Sequence, residues 1–230
     1  QMQRVRLFET GLRFRGQVDD LTQTPMIAGV TAGNADQPHW DARDRVLDFF
    51  DVKGDVEALL ALAILDGAAR FEPFEHPALH PGQSARILIE DKSVGLLGKL
   101  HPAVAAQLDL DGAVYLFEIE QSVFARHAVP AFSAISRYPA IRRDLAVVVQ
   151  ENITAQAVQD CIAASADDVL KGIHLFDVYR GPGVSEGCKS LAIGLILQDY
   201  SRTLTDEEVD ATVQRIVAAL SEQLGAGLRE

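Results

Sequence analysis

The chain has 230 residues, 48% of them hydrophobic, and its 33 acidic against 21 basic side chains leave a net charge of −12. That length supplies a sizeable core or two modest ones, while the charge argues against gripping nucleic acid by bulk electrostatics, which needs a basic stripe. No uninterrupted apolar run of about 18 residues occurs and Gln1–Arg4 opens no apolar leader, so no membrane span or signal peptide is expected and the protein reads as cytoplasmic.

Arg4 to Phe14 (RVRLFETGLRF) and the short run Pro25 to Val30 (PMIAGV) have the composition of strands. From Asp48 the period changes: Phe49, Val52, Val56, Leu59, Leu60 and Ala63 recur at helical spacing, with Asp51 and Asp55 early, where the helix dipole favours them. Arg86 to Glu90 and Val94 to Lys99 flank the polar connector Asp91-Lys92-Ser93, which predicts a β-hairpin. A short helix, Pro102 to Leu108, and a strand, Val114 to Glu120, follow. His127 to Ser136 has little periodicity and contains Pro130, so a boundary is placed there, with domains over 1–130 and 136–230.

Beyond the boundary the order is strand 144–149, helix 155–165, strand 173–179, strand 190–198, helix 206–224 and a short strand at Leu228. That is β-α-β-β-α-β, the ferredoxin-like topology, in an α+β chain. Thr154 stands where an N-cap belongs, Thr205 to Glu208 has capping-box spacing, and Gly225 ends the last helix as a C-cap glycine. Cys161 and Cys188 share no metal or disulfide spacing and read as core residues.

In order and spacing, SRYPAIRRDLAVVV (136–149), LFDVYRG (175–181), KSLAIGLILQDYSRTLTDEEV (189–209) and the terminal Leu228-Arg229 closely resemble the anticodon-binding domain closing the β subunit of bacterial phenylalanyl-tRNA synthetases. LFETGLRF (7–14), DFFDVKGDVEALL (48–60), HPALHPGQSA (76–85) and GLLGKLHP (95–102) look like that subunit's antiparallel, class II synthetase-like core. The resemblance implies an α2β2 enzyme whose α subunit binds ATP and phenylalanine and charges phenylalanine tRNA, with a β core inactive in that chemistry. Catalytic residues are accordingly none here, and ATP and magnesium are expected of the whole enzyme, with no cofactor or metal site in this chain. The family subunit is longer, and its editing and B5-type modules have no pattern here, so the chain reads as a fragment.

A class II site needs a glycine-rich strand and a motif-ending Arg, because a fixed, permanently charged fork is what offsets triphosphate charge. YLFEIEQSVF (115–124) instead puts Glu118 and Glu120 at the matching places, where carboxylates repel ATP.

The RNA-binding candidates are Arg137, Tyr138, Arg142, Arg143, Arg180, Lys189 and Arg202. An aromatic ring beside guanidinium groups is a standard way to hold unpaired bases. The alternative is that Tyr138 and Pro139 pack while the arginines pair with acids such as Asp144. Residues 136–230 hold nine Lys and Arg against fourteen Asp and Glu, so RNA contact there is local. Gly181-Pro182-Gly183 with Gly187 lacks the P-loop ending and reads as a hairpin loop. His76 and His80 sit beside prolines, which favours a structural role, and Asp48, Asp51, Asp55 and Glu57 read as one helix's polar face. Two other roles for the tail stay open, an amino-acid-sensing module and a pure assembly module.

Overall fold

The computed structural model describes residues 4–41, 44–63, 69–125, 132 and 135–229, arranged in two compact units, 1–131 and 132–230. Most of the expected connector at 127–136 lies outside the described residues.

The first unit is a six-stranded antiparallel sheet of β1 (Arg4–Gln17), β2 (Asp20–Gly33), β3 (Ala69–Pro73), β4 (Leu79–Ile89), β5 (Lys92–Leu100) and β6 (Val114–Glu120), in the order β1-β2-β6-β5-β4-β3. Helix α1 (Phe49–Ala61) covers one face. Asp48 caps it by accepting the N–H groups of Phe50 at 2.8 Å and Asp51 at 3.2 Å, and Asp51 returns the bond to Asp48 N–H at 2.7 Å. Its buried stripe Val52, Val56 and Leu60 shares a core with Ile87, Leu97, Phe117 and Ile119. Helix α2 (Pro102–Gln107) follows β5 with His101 as its N-cap.

Three expectations need adjustment. The first two strands run on to Gln17 and back to Asp20, because ladder pairing continues to Gln17↔Asp20 where hydrophobic alternation has stopped. Strand β3 was not expected from the sequence. The hairpin between β4 and β5 turns on Glu90 and Asp91, whose positive φ values of 51° and 62° fit a two-residue turn, so Lys92 already belongs to β5.

The second unit is β7 (Ile141–Gln150), α3 (Ala155–Ser165), β8 (Leu170–Tyr179), β9 (Cys188–Leu197), α4 (Asp206–Leu224) and β10 (Gly227–Leu228), with sheet order β10-β7-β9-β8 and every pairing antiparallel. This is the βαββαβ ferredoxin-like arrangement. Val147, Val149, Leu191, Ile193 and Leu195 point to one side and bury against Val158 and Ile162 of α3 and Ile216 and Leu220 of α4. Both helices cover that face, and among the described residues of this unit no element layers the other face. Thr205 and Glu208 form the expected capping box. Gly225 ends α4 at φ 61°, a left-handed conformation that a side chain disfavours.

Candidate nucleic-acid interface

Strand alternation decides which side chains reach the uncovered face. On β7 and β9 these are Arg142, Asp144, Ala146 and Val148, with Ser190, Ala192, Gly194 and Ile196 beside them. Small residues at 146, 190, 192 and 194 leave a low floor. On β8 a register break between Leu175 and Asp177 reverses the alternation, so that His174, Asp177 and Tyr179 lie opposite Gly194, Ala192 and Ser190.

Two guanidinium groups lie on aromatic rings of this unit. Arg142 Cζ stands 5.2 Å from the centroid of Phe176, and Arg229 Cζ stands 4.4 Å from that of Tyr179. Gly194 makes room for the first. A Cβ there would lie 3.0 Å from Asp144 Oδ1 and 3.1 Å from Arg142 Nε. The second is assembled by the chain's last strand: β10 pairs with Val147 and Val148, and Arg229 N–H donates to Ala146 O at 2.8 Å. The Tyr179 hydroxyl donates to Pro182 O at 3.1 Å, fixing the ring against the loop between β8 and β9.

Arg142 is the one sequence candidate that the structure places over this floor, held by Asp144 at 2.7 Å. Arg143, its neighbour, points to the helix side and pairs with Asp206 at 3.3 Å and Asp210 at 3.9 Å. Arg180 and Lys189 converge on Glu151 at the hairpin-loop end, Arg180 through its carboxylate at 2.6 Å and Lys189 through its backbone oxygen at 2.8 Å. The Arg180 bond holds the Glu151 carboxyl below the usual range. Arg202, at the opposite end, makes a two-pronged pair with Glu208, whose pKa is pulled down to about 2 by that bond first and by the Thr205 N–H second. Tyr138 accepts Gln198 Nε2 at 2.6 Å through its backbone oxygen, and Arg137 is exposed with no ion-pair partner among the described residues.

Sequence reasoning missed Phe176, Tyr179 and Arg229 as site residues. The signal was present in LFDVYRG and the terminal Leu-Arg. The register break in β8 hid Tyr179, and the long-range pairing of β10 with β7 hid Arg229.

In the first unit, Glu118 and Glu120 project from β6 away from α1, on the side opposite Phe117 and Ile119. Arg13 reaches them at 3.5 and 3.9 Å and Lys92 reaches Glu120 at 3.2 Å, so these carboxylates are partly neutralised from within. His76 and His80 each accept a backbone N–H two residues on, from Ala78 at 3.2 Å and Gly82 at 3.1 Å. Among the described residues no group of three or more His, Cys, Asp or Glu side chains is placed to hold a metal ion, and no helix is long and apolar enough to cross a membrane. The β1–β2 ribbon exposes apolar side chains instead: Phe8, Leu12 and Phe14 share a face with Leu21, and Phe8 is 79% exposed.

Comparison with known proteins agrees with this division. Residues 1–121 match the family described as the phenylalanyl tRNA synthetase beta chain CLM domain, and residues 136–229 match the ferredoxin-fold anticodon binding domain. Over the whole chain it is 47% identical to the phenylalanine–tRNA ligase beta subunit of Pseudomonas syringae, 48% to that of Pseudomonas fluorescens and 47% to that of Nitrosococcus oceani. The chain spans 29% of the length of each of these relatives. It belongs to the phenylalanyl-tRNA synthetase β-chain family, carrying the CLM region followed in sequence by a ferredoxin-fold anticodon-binding domain.

Proposed function

We propose that the chain is a non-catalytic part of a phenylalanine–tRNA ligase, in which residues 1–130 support the α subunit of an α2β2 enzyme and residues 136–230 hold the anticodon region of phenylalanine tRNA during ATP-dependent aminoacylation. The observation that carries the RNA role is the uncovered sheet face, where Arg142 and Arg229 lie on Phe176 and Tyr179 above a floor of small residues. Flat rings offer stacking to unpaired bases, and guanidinium groups beside them meet phosphate, without the net positive charge this chain lacks. Arg180, Lys189 and the loop 180–187 extend the surface at one end, and Arg137, Tyr138 and Arg202 at the other. Arg143 reaches RNA from the α4 side of β7.

The contribution to the reaction is positional. Holding tRNA at a distant point supplies binding and orientation to chemistry done elsewhere. For the first unit, the apolar β1–β2 ribbon supports docking of a partner subunit, since exposed apolar clusters mark protein interfaces. ATP and magnesium belong to the partner's chemistry in this reading, and the Glu118 and Glu120 carboxylates disfavour a triphosphate on β6.

The test is tRNA affinity and charging efficiency of the reconstituted enzyme with and without residues 136–230. Loss of both supports the assignment, and unchanged values for both would sink the RNA role.

A further inference from the structure

The second unit carries a third aromatic–cation pair, at the end of β8 away from Tyr179. Lys171, the second residue of β8, holds its ammonium 4.7 Å from the centroid of Tyr200, whose ring is about half exposed. The segment bearing Tyr200 is tied to the one preceding β7: Ser136 Oγ donates to Asp199 O at 3.2 Å and Gln198 Nε2 to Tyr138 O at 2.6 Å. Tyr138 and Arg137 therefore border the same end of the sheet. Three acidic residues lie near this end, and two of them have carboxylates with partners. Of these, Asp199 accepts the N–H and hydroxyl of Ser201 at 2.7 and 2.8 Å and Asp167 pairs with Arg215, while Asp168 meets Lys171 through its backbone oxygen and not its carboxylate.

The distance along the strand matters. Lys171 and Tyr179 are eight positions apart, which at roughly 3.3 Å per residue gives up to about 26 Å, a little less with the breaks in the strand. Three bases stacked at about 3.4 Å per step span only about 7 Å. A strand of RNA that engages both ends is thus longer than a triplet.

We propose that Tyr200 and Lys171, with Arg137 and Tyr138 on the adjoining segment, form a second RNA subsite that takes an unpaired nucleotide outside the anticodon triplet. A base stacks on the exposed surface of the Tyr200 ring, and Lys171 and Arg137 meet the flanking phosphates. This rests on the reading of the second unit as an RNA-binding domain.

The test is fluorescence anisotropy of the 230-residue chain with a labelled hairpin RNA carrying the anticodon loop of phenylalanine tRNA, and with versions made abasic at each loop position flanking the triplet in turn. Tyr200→Ala and Lys171→Ala should each weaken binding about fivefold to tenfold, the size of one lost base–aromatic stack. Tyr200→Phe should bind within about twofold of the unaltered chain, because stacking needs the ring and not the hydroxyl. One abasic position should cost the unaltered chain a similar factor and cost Tyr200→Ala nothing further. Full affinity in Tyr200→Ala with weakened Tyr179→Ala overturns the subsite and leaves the RNA reading intact. Tyr200→Phe as weak as Tyr200→Ala overturns stacking at this position. No binding by the unaltered chain, or full affinity in both Tyr179→Ala and Tyr200→Ala, overturns the RNA reading and the subsite together.

Discussion

Gly194→Val separates stability from RNA binding, because the expected effect on the first is small and on the second large. The missing Cβ lies 3.0 Å from Asp144 Oδ1 and 3.1 and 3.2 Å from Nε and Nη2 of Arg142, so the two methyl groups of valine enter volume that the guanidinium now fills. Arg142 and Asp144 are both half-exposed side chains and swing aside cheaply. Their displacement loses a cation–π contact worth about 0.5–1 kcal/mol and a solvent-screened ion pair worth about 0–1 kcal/mol. Against this, valine suits a central strand and restricts the unfolded chain, a gain of up to about 1 kcal/mol. Stability should therefore stay within about 1 kcal/mol of the unaltered chain. RNA affinity should fall about tenfold or more, since a charge-assisted hydrogen bond from a fixed guanidinium is worth roughly 1.5–3 kcal/mol. Urea denaturation and anisotropy with anticodon-loop RNA measure the two quantities on one preparation. A stably folded variant that binds RNA at full affinity would refute the placement of Arg142 in the site.

Three other outcomes are expected. Phe8→Ser combined with Leu12→Ser should leave the fold intact, because both side chains are exposed on the β1–β2 ribbon, and should abolish co-purification with the α subunit; retained co-purification removes the ribbon from the interface. Gly225→Ala places a side chain at φ 61° and should cost roughly 1–2 kcal/mol, read as a lower thermal midpoint, whereas an unchanged midpoint would show that α4 ends without that strain. Glu208 titrates at about 2 in the folded chain against an ordinary 4.5, so the stability it contributes is present above about pH 4.5 and is lost as the pH falls towards 2. Glu208→Gln should flatten that part of a stability-against-pH curve, and curves parallel to the unaltered chain's would count against the Arg202 pair.

The second unit was the more legible half. Thr154, the Thr205–Glu208 box and Gly225 bracket its helices with local chemistry that acts within a few residues, and the structure keeps all three. The first unit depends more on pairing between distant segments. Nothing local extends β1 through Gly16 or makes a strand of 69–73; their partners in β2 and β4 do that. For the site, the cluster of guanidinium groups beside Tyr138 pointed to Arg142 but nothing pointed to Tyr179. Counting by twos from Ile173 and Leu175 assigns Tyr179 to the buried side, and only the register break at Phe176 turns it outward. Arg229 lies past the last helix, and its place on Tyr179 comes from the pairing of β10 with β7, Gly227 with Val148 and Leu228 with Val147, contacts far apart in sequence.

The breaks in β8 also bear on how the protein behaves at high concentration. β8 is an outer strand, and among the described residues one flank of its backbone has no ladder partner, an invitation to pair with the same strand of another molecule. Two irregularities within ten residues, at 170–172 and 175–177, bend and twist that edge so that a flat, in-register copy cannot run along it. The extra residue that turns Tyr179 away from the helices thus also guards against aggregation, and a deletion that straightened the strand should bury the ring and open the edge together.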